Sequence, residues 1–345
     1  MSGLEALLDA GPGETRGVLV RNGRFERLFI HRDSDVTQHR LGARSVGRVA
    51  AVDAGLGGAF VDLGVREPFG FLPLKKKTDK MAVGQKTEVE VSAEPREHKG
   101  PTLRLIGAGE GEPRLLAPGP SVTESLARLA PGVELRTGAA AIRAGHEAEE
   151  EALAPGGLFA HLGVSLAVER TRALVAVDID HAAAPGRDGT RDKGRANREG
   201  LMQAARLIRL KGWGGLVAVD LVGVGHDGVA TTAMAKAAFV DEADVVIGPV
   251  NRFGVLMLSL PWRGTPVEER LLGPDGRPTA DTRAIAGLRQ LRLALAMDTT
   301  APWLTLRCAS DEASRAAAWV ETLGPRARLR SDPDVAPGDA RIEER

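Results

Sequence analysis

The chain has 345 residues and a mass of 36.4 kDa, with 43% hydrophobic residues, 27% charged residues and a mean hydropathy of −0.12. That balance excludes collagen-like, fully disordered and disulfide-scaffold classes and gives length enough for two or three domains. Lys+Arg and Asp+Glu are both 46, so net charge says nothing about partners and charge is read segment by segment.

In chain order, residues 14–38 alternate apolar and polar around Asn22-Gly23, a hairpin signal. Residues 45–106 hold five short strand patterns, SVGRVAAVDA, AFVDLG, PFGFLPL, TEVEVSA and TLRLIG, a series that suits a small barrel such as the OB-fold. Residues 108–120 shift to Gly, Glu and Pro and read as a linker. A helix (SVTESLARL), a short strand (VELRTG) and an acidic helix near 144–153 follow. Residues 182–195 read as a mobile loop, and Leu201, Ala204, Ala205 and Ile208 share one face of a helix over 197–211. A helix near 282–296, a strand WLTLRC, a helix near 311–323 and a charged tail expected to be disordered complete the chain. Cys308, the single cysteine, excludes an internal disulfide and a Cys-rich zinc site, and its apolar neighbours make it a core residue. No apolar run approaches the ~20 residues of a membrane span. The first residues lack the basic and apolar regions of a signal peptide, so a cytoplasmic protein without a membrane partner is expected.

Two strings carry the chemistry. LVAVD occurs at 174–178 and again at 216–220, each an apolar strand ending in aspartate, with a helix between them. Such a crossover makes the strands parallel and puts Asp178 and Asp220 at one sheet edge. Asp180 shares a face with Asp178 because strand side chains repeat with period two. Carboxylates so placed suit Mg2+, with Mn2+ as its substitute; the plainer reading is that each aspartate ends a strand or caps a helix. Residues 187–211 add Arg187, Arg191, Lys193, Arg195, Arg198, Arg206, Arg209 and Lys211 against Asp188, Asp192 and Glu199. That excess suits a polyanion held beside a metal, or a solvated helix face. In the barrel segment, Phe60, Phe69, Phe71, the Lys75-Lys76-Lys77 run and Lys99 mix rings and cations as single-strand nucleic-acid binders do. His181 and His226 lie near the aspartates without an assigned role.

Taken in order, these residues resemble the catalytic portion of the ribonuclease E/G family, with gaps, from about residue 15 to 325. The family's AAFVD-x-G and GFLP patterns match Ala59–Gly64 and Gly70–Pro73, its DIN string matches Asp178-Ile179-Asp180, and its RFGL string matches Arg252-Phe253-Gly254-Val255. Its helix and following strand match NREGLMQAARLIRLKGWGGLVAVDL. The resemblance implies an α/β protein with an RNase H-like/DNase I-like catalytic core, an inserted OB-fold RNA-binding barrel and a 5′-sensor region. It implies N-terminal strands over 1–40 that join the core by pairing with strands near 160–170, and the OB-fold over 41–108. The sensor-like region would span 109–165, the metal-binding core 166–265, a small α/β region 266–328, and a disordered tail 329–345. It further implies Mg2+-dependent endonucleolytic cleavage of single-stranded RNA, with Asp178 and Asp220 as metal ligands and Asp180 as the third catalytic residue. Phe60, Phe71 and Lys99 would bind RNA, and Arg136-Thr137 would bind a 5′-monophosphate.

The departures are specific. Asp180 stands where the family has Asn, and Leu260-Pro261-Trp262 followed by Arg263 stands where the family has a basic R-x-R. The family's CPxC zinc link appears as LLGPDGRP at 271–278, so no structural zinc and no zinc-linked oligomer is expected. An RNA-binding protein of the same architecture with weak or no cleavage is the alternative. A distant one is a dinucleotide-binding oxidoreductase, because Gly223, Gly225 and Gly228 spell GxGxxG after a strand, with Asp244 as the distal acid.

Overall fold

A computed structural model describes residues 3–74, 81–181, 190–223, 225 and 227–344, residues 190–192 by backbone alone. Lys75-Lys76-Lys77, Arg187, Asp188, His226 and the side chains of Arg191 and Asp192 lie outside the described residues. The chain divides into two units, Met1–Glu149 with Val267–Arg345, and Glu150–Pro266.

The first unit opens with β1 (Leu4–Gly11), β2 (Glu14–Arg21) and β3 (Arg24–Arg32), consecutive antiparallel strands. Asn22 and Gly23 take φ of 52° and 74°, the left-handed pair that a two-residue hairpin needs. Next come β4 (Arg44–Asp53), β5 (Gly58–Asp62), β6 (Gly70–Pro73), β7 (Lys86–Ala93), β8 (Thr102–Ala108) and β9 (Arg114–Ala117). The order β5-β6-β8-β7-β4 closes on itself because β4 also pairs with β5. Val61, Leu63, Leu72, Val89, Val91 and Leu103 fill the interior. The expected linker at 108–120 is corrected: β9 lies within it and pairs with β4.

Helix α1 (Val122–Leu129) starts at a capping box, with Ser121 and Glu124 satisfying each other's backbone N–H. Strand β10 (Leu135–Arg136) then joins β1 in parallel. The first three strands therefore pair with β10 and with one another, not with strands near 160–170 as expected. Buried Leu19 of β2 packs with Val122 and Leu126 of α1, so this sheet already has its apolar cover. Helix α2 (Ala139–Leu153) leads into the second unit.

The second unit is one six-stranded sheet with order β11-β12-β13-β14-β16-β15. Its elements are β11 (Gly156–Phe159), β12 (Val164–Arg170), β13 (Val175–His181), α3 (Thr190–Lys211), β14 (Gly215–Asp220), α4 (Gly228–Ala238), β15 (Val246–Val250) and β16 (Val255–Leu260). Helix α3 is the crossover between the parallel strands β13 and β14, and it begins at Thr190, inside the stretch expected to be a loop. Its Leu201, Ala204, Ala205 and Ile208 are buried, as the periodicity requires.

The chain then returns to the first unit through α5 (Val267–Leu271), α6 (Ala280–Met297), β17 (Leu304–Cys308), α7 (Ser310–Glu321), β18 (Ala327–Ser331) and β19 (Arg341–Glu344). The tail expected to be disordered is corrected: β19 pairs with β17, and Arg307 reaches both Asp332 and Glu343. Cys308 is buried beside Leu306 and Ala313, and burial pushes its thiol up to about 11. The same unit buries a cluster of charges. Arg16 pairs with Glu14 and Glu149, Arg32 with Glu14, and Arg289 and Arg292 with Asp9.

Candidate active site

The two LVAVD strings become lateral neighbours. Asp178 of β13 and Asp220 of β14 are register partners on adjacent parallel strands, a separation of about 4.8 Å between backbones. Period-two alternation buries Val175, Val177, Ile179, Val217 and Val219 on the helix side and leaves Asp178, Asp180 and Asp220 exposed on the other. No described residue gives Asp178 or Asp220 a hydrogen bond or ion pair. Two carboxylates side by side repel each other and, with no counter-charge among the described residues, favour a cation between them. Asp180 is held differently: its carboxylate accepts from the His181 backbone N–H at 2.7 Å, and it pairs laterally with Ser165. His181 follows on the opposite face. Among the described residues, no cluster of three or more His, Cys, Asp or Glu converges on one point. Asp178 and Asp220 are residues that could hold a hard cation that keeps several of its waters.

Helix α3 fixes this edge at two points. Gly200 lets the helix lie directly on β13, since a Cβ there would stand 2.4 Å from Cγ2 of Ile179, the residue between Asp178 and Asp180. Buried Asn197 accepts from the Val222 N–H at 2.8 Å and donates to its carbonyl at 3.2 Å, clamping the chain just past Asp220. The only mark of Asn197 in the sequence is its place as an amide heading the apolar stripe that Leu201, Ala204 and Ile208 continue.

The basic excess of α3 separates into two groups. Arg206 pairs with Glu151, Arg209 with Glu242 at 3.2 Å, and Lys211 is buried and donates to the Ala152 and Ala154 carbonyls. These three hold the unit together and are withdrawn from any polyanion. Arg195 and Arg198 are exposed, and the stem of Lys193 lies against Gly223, three residues beyond Asp220.

The first unit holds the other candidates. Phe60 and Phe71 are register partners on β5 and β6, with ring centroids 5.5 Å apart in an edge-on arrangement. Their neighbours Ala59, Val61 and Leu72 point inward, so the two rings are on the barrel's outer side and half-buried. Lys99 sits in a turn where Glu97 and His98 take φ of 48° and 64°, and it reaches Glu97 at 3.2 Å. Pro101, two residues on, accepts a hydrogen bond from the Phe71 N–H at 2.8 Å, which draws this turn toward the rings. Arg136 and Thr137 are exposed at the end of β10, and Arg136 pairs with Glu5 of β1 rather than with the acidic helix, whose Glu149 and Glu151 serve Arg16 and Arg206.

Two sequence features are placed away from the acidic edge. Strand β16 runs antiparallel to β14, so Arg263, beyond its far end, is at the opposite edge from Asp220 and pairs with Asp244 at 3.2 Å. Asp244 accordingly precedes β15 at the edge where a dinucleotide's ribose acid is not found. The end of α4 that a pyrophosphate would need is capped by Asp227, which accepts from the Val229 and Ala230 N–H groups. Of the GxGxxG string, Gly223 and Gly225 take φ of 94° and 70°, and Gly228 opens α4.

Residues 144–260 match the model of the Ribonuclease E/G family, and they contain Asp178, Asp180, Asp220 and Arg252–Val255. The chain is 33% identical over 101 residues to Ribonuclease E of Escherichia coli (strain K12), covering 28% of this chain and 10% of that protein. It is 31% identical over 101 residues to Ribonuclease E of Buchnera aphidicola subsp. Acyrthosiphon pisum (strain APS), covering 28% of this chain and 11% of that protein. A Putative ribonuclease E of Buchnera aphidicola subsp. Baizongia pistaciae (strain Bp) is 27% identical over 111 residues, 31% of this chain and 27% of that protein. The matched stretch is thus a small part of each relative's length. The resemblance drawn from the sequence is shown over residues 144–260. No helix among the described residues is long and apolar enough to cross a membrane.

Proposed function

We propose that this chain is a Mg2+-dependent endoribonuclease that cuts single-stranded RNA. The observation that carries this reading is the exposed Asp178–Asp220 pair, laterally matched on parallel strands, without a counter-charge among the described residues, inside the segment that matches the Ribonuclease E/G family. Asp178 and Asp220 would hold the ion, and Mn2+ suits the same oxygen ligands. A bound Mg2+ supplies activation of a water and compensation of charge on the scissile phosphate.

The chain's own residues do the rest. Asp180, tied back to its own strand, sets the polarity beside the reacting phosphate. Arg195 and Arg198, three residues apart on one exposed face of α3, and Lys193, whose stem lies against Gly223, offer positive charge to the RNA backbone. Water adds to phosphorus as the bond to the 3′ oxygen breaks, and a proton passes to that oxygen, leaving a 5′-phosphate and a 3′-hydroxyl. In the OB-fold-like barrel, Phe60 and Phe71 offer ring surface to bases while Lys99 offers charge to phosphate. Arg136-Thr137 would read a 5′-monophosphate, with Glu5 exchanged for the phosphate as the guanidinium's partner.

Arg263, paired with Asp244 at the far edge, favours the second reading, an RNA-binding protein that does not cut. A labelled single-stranded RNA with Mg2+ decides between them. The expected result is cleavage by the wild type and a loss of roughly 100-fold or more in Asp178→Asn. Equal cleavage by the two would remove the metal assignment; binding without cleavage by either would establish the second reading.

A further inference from the structure

We infer that Phe253 is a substrate-positioning residue, a platform on which a base of the RNA next to the scissile phosphate stacks. This rests on the ribonuclease reading and adds a specificity determinant to the same site.

Phe253 is 74% exposed, an arrangement that forgoes most of the burial energy of a large ring. The Arg252 guanidinium lies over it, 4.8 Å from the ring centroid. Cation and ring together form a surface to which both a base and a phosphate are attracted. The tip is also held in place. The Asn251 side chain accepts from the Phe253 N–H at 2.9 Å and from the Val255 N–H at 3.1 Å, and its carbonyl accepts from Gly254 at 3.0 Å. Gly254 has φ of 85°, so the turn needs glycine there. A ring held this way loses little freedom on meeting a ligand, which is what a stacking platform requires.

Its place in the sheet supplies the partner. Val255, two residues on, is the register partner of Asp220, so the tip stands at the carboxyl end of β14, on the order of 10 Å from Asp220 along the backbone. A nucleotide whose phosphate meets the Asp178–Asp220 pair has a neighbouring base within reach of that ring. Stacking reads the presence of an unpaired base rather than its identity, so this contact favours single strands over duplex.

The test uses RNAs carrying the fluorescent base 2-aminopurine at one position at a time on either side of the cleavage site, bound to the Asp178→Asn protein so that the strand stays intact. One position should be quenched on binding. The quench should vanish in Asp178→Asn/Phe253→Ala and persist in Asp178→Asn/Phe253→Trp. In the otherwise wild-type protein, Phe253→Ala should raise KM about tenfold with a smaller change in kcat, and Phe253→Trp should restore it. An unchanged quenching profile with an unchanged KM in Phe253→Ala would overturn the inference while leaving cleavage by the wild type, and so the functional reading, intact. Position-specific quenching in a chain that never cuts RNA would instead support the platform and remove the nuclease reading. A chain that binds no RNA overturns both.

Discussion

Two groups of charged residues behave in opposite ways. In the first unit, Arg16, Glu14 and Asp9 are nearly inaccessible, and each charge is answered by another: Arg16 by Glu14 and Glu149, Asp9 by Arg289 and Arg292. In the second unit, Asp178 and Asp220 are exposed and stand beside each other with no described residue answering either. Burial by itself raises the pKa of the Glu14 carboxyl, yet the Arg16 and Arg32 guanidiniums outweigh it and hold the group below its ordinary value. Burial first, and then the neighbouring Arg16, lowers that of Arg289. Charges spent on one another in a low-dielectric interior hold the fold, whereas like charges left side by side in water are available to a ligand. Charge content is therefore no guide to function; partnership is.

The contrast breaks most visibly at Arg16. Arg16→Ala leaves Glu14 and Glu149 without their buried partner and should cost about 3–5 kcal/mol in urea denaturation. A change below about 1 kcal/mol would mean that the cluster is decorative. Next in size is Gly200→Ala, where the new methyl meets Ile179 and should cost about 1–3 kcal/mol, with cleavage falling further than stability because Ile179 lies between Asp178 and Asp180. Unchanged melting and unchanged cleavage would show that helix α3 does not set the acidic edge. Arg136→Ala sits between the two kinds of charge, exposed but paired with Glu5. Its stability effect should stay under about 1 kcal/mol. Its functional effect should be selective: faster cleavage of 5′-monophosphorylated RNA than of its 5′-hydroxyl twin in the wild type, and no difference in the variant. Equal rates on both substrates in the wild type would remove the sensor assignment.

What sequence reasoning reached follows the same division between local and distant. The Asn22-Gly23 hairpin, the strands of the barrel, the crossover joining the two LVAVD strings and the apolar face of α3 were legible because period and turn chemistry are local. Asp178 and Asp220 were legible as a pair because a helical crossover makes the two strands parallel and leaves their carboxyl ends at one edge. The pairing of β1 with β10 was not, since it joins residues more than a hundred positions apart and neither strand's pattern names its partner. Strands β9 and β19 are four residues each and lie in Gly-, Pro- and charge-rich surroundings, too short for a period to show. The partners of Arg136, Arg206 and Lys211 were hidden for the same reason. A run of basic residues reads as one electrostatic patch until packing decides which members turn inward. Asn197 and the Arg252–Phe253 tip required coordinates, because their meaning lies in what they touch.

The Asp178–Asp220 pair is proposed as a cation site, and calorimetric titration with Mg2+ tests this without any RNA present. The wild type should bind about one ion, with a rise in melting temperature that grows with Mg2+ concentration. Asp178→Asn and Asp220→Asn should each lose that binding while melting within about 0.5 kcal/mol of the wild type in metal-free buffer, since both side chains are exposed. Mg2+ binding of equal strength in all three proteins would contradict a cation site at this pair.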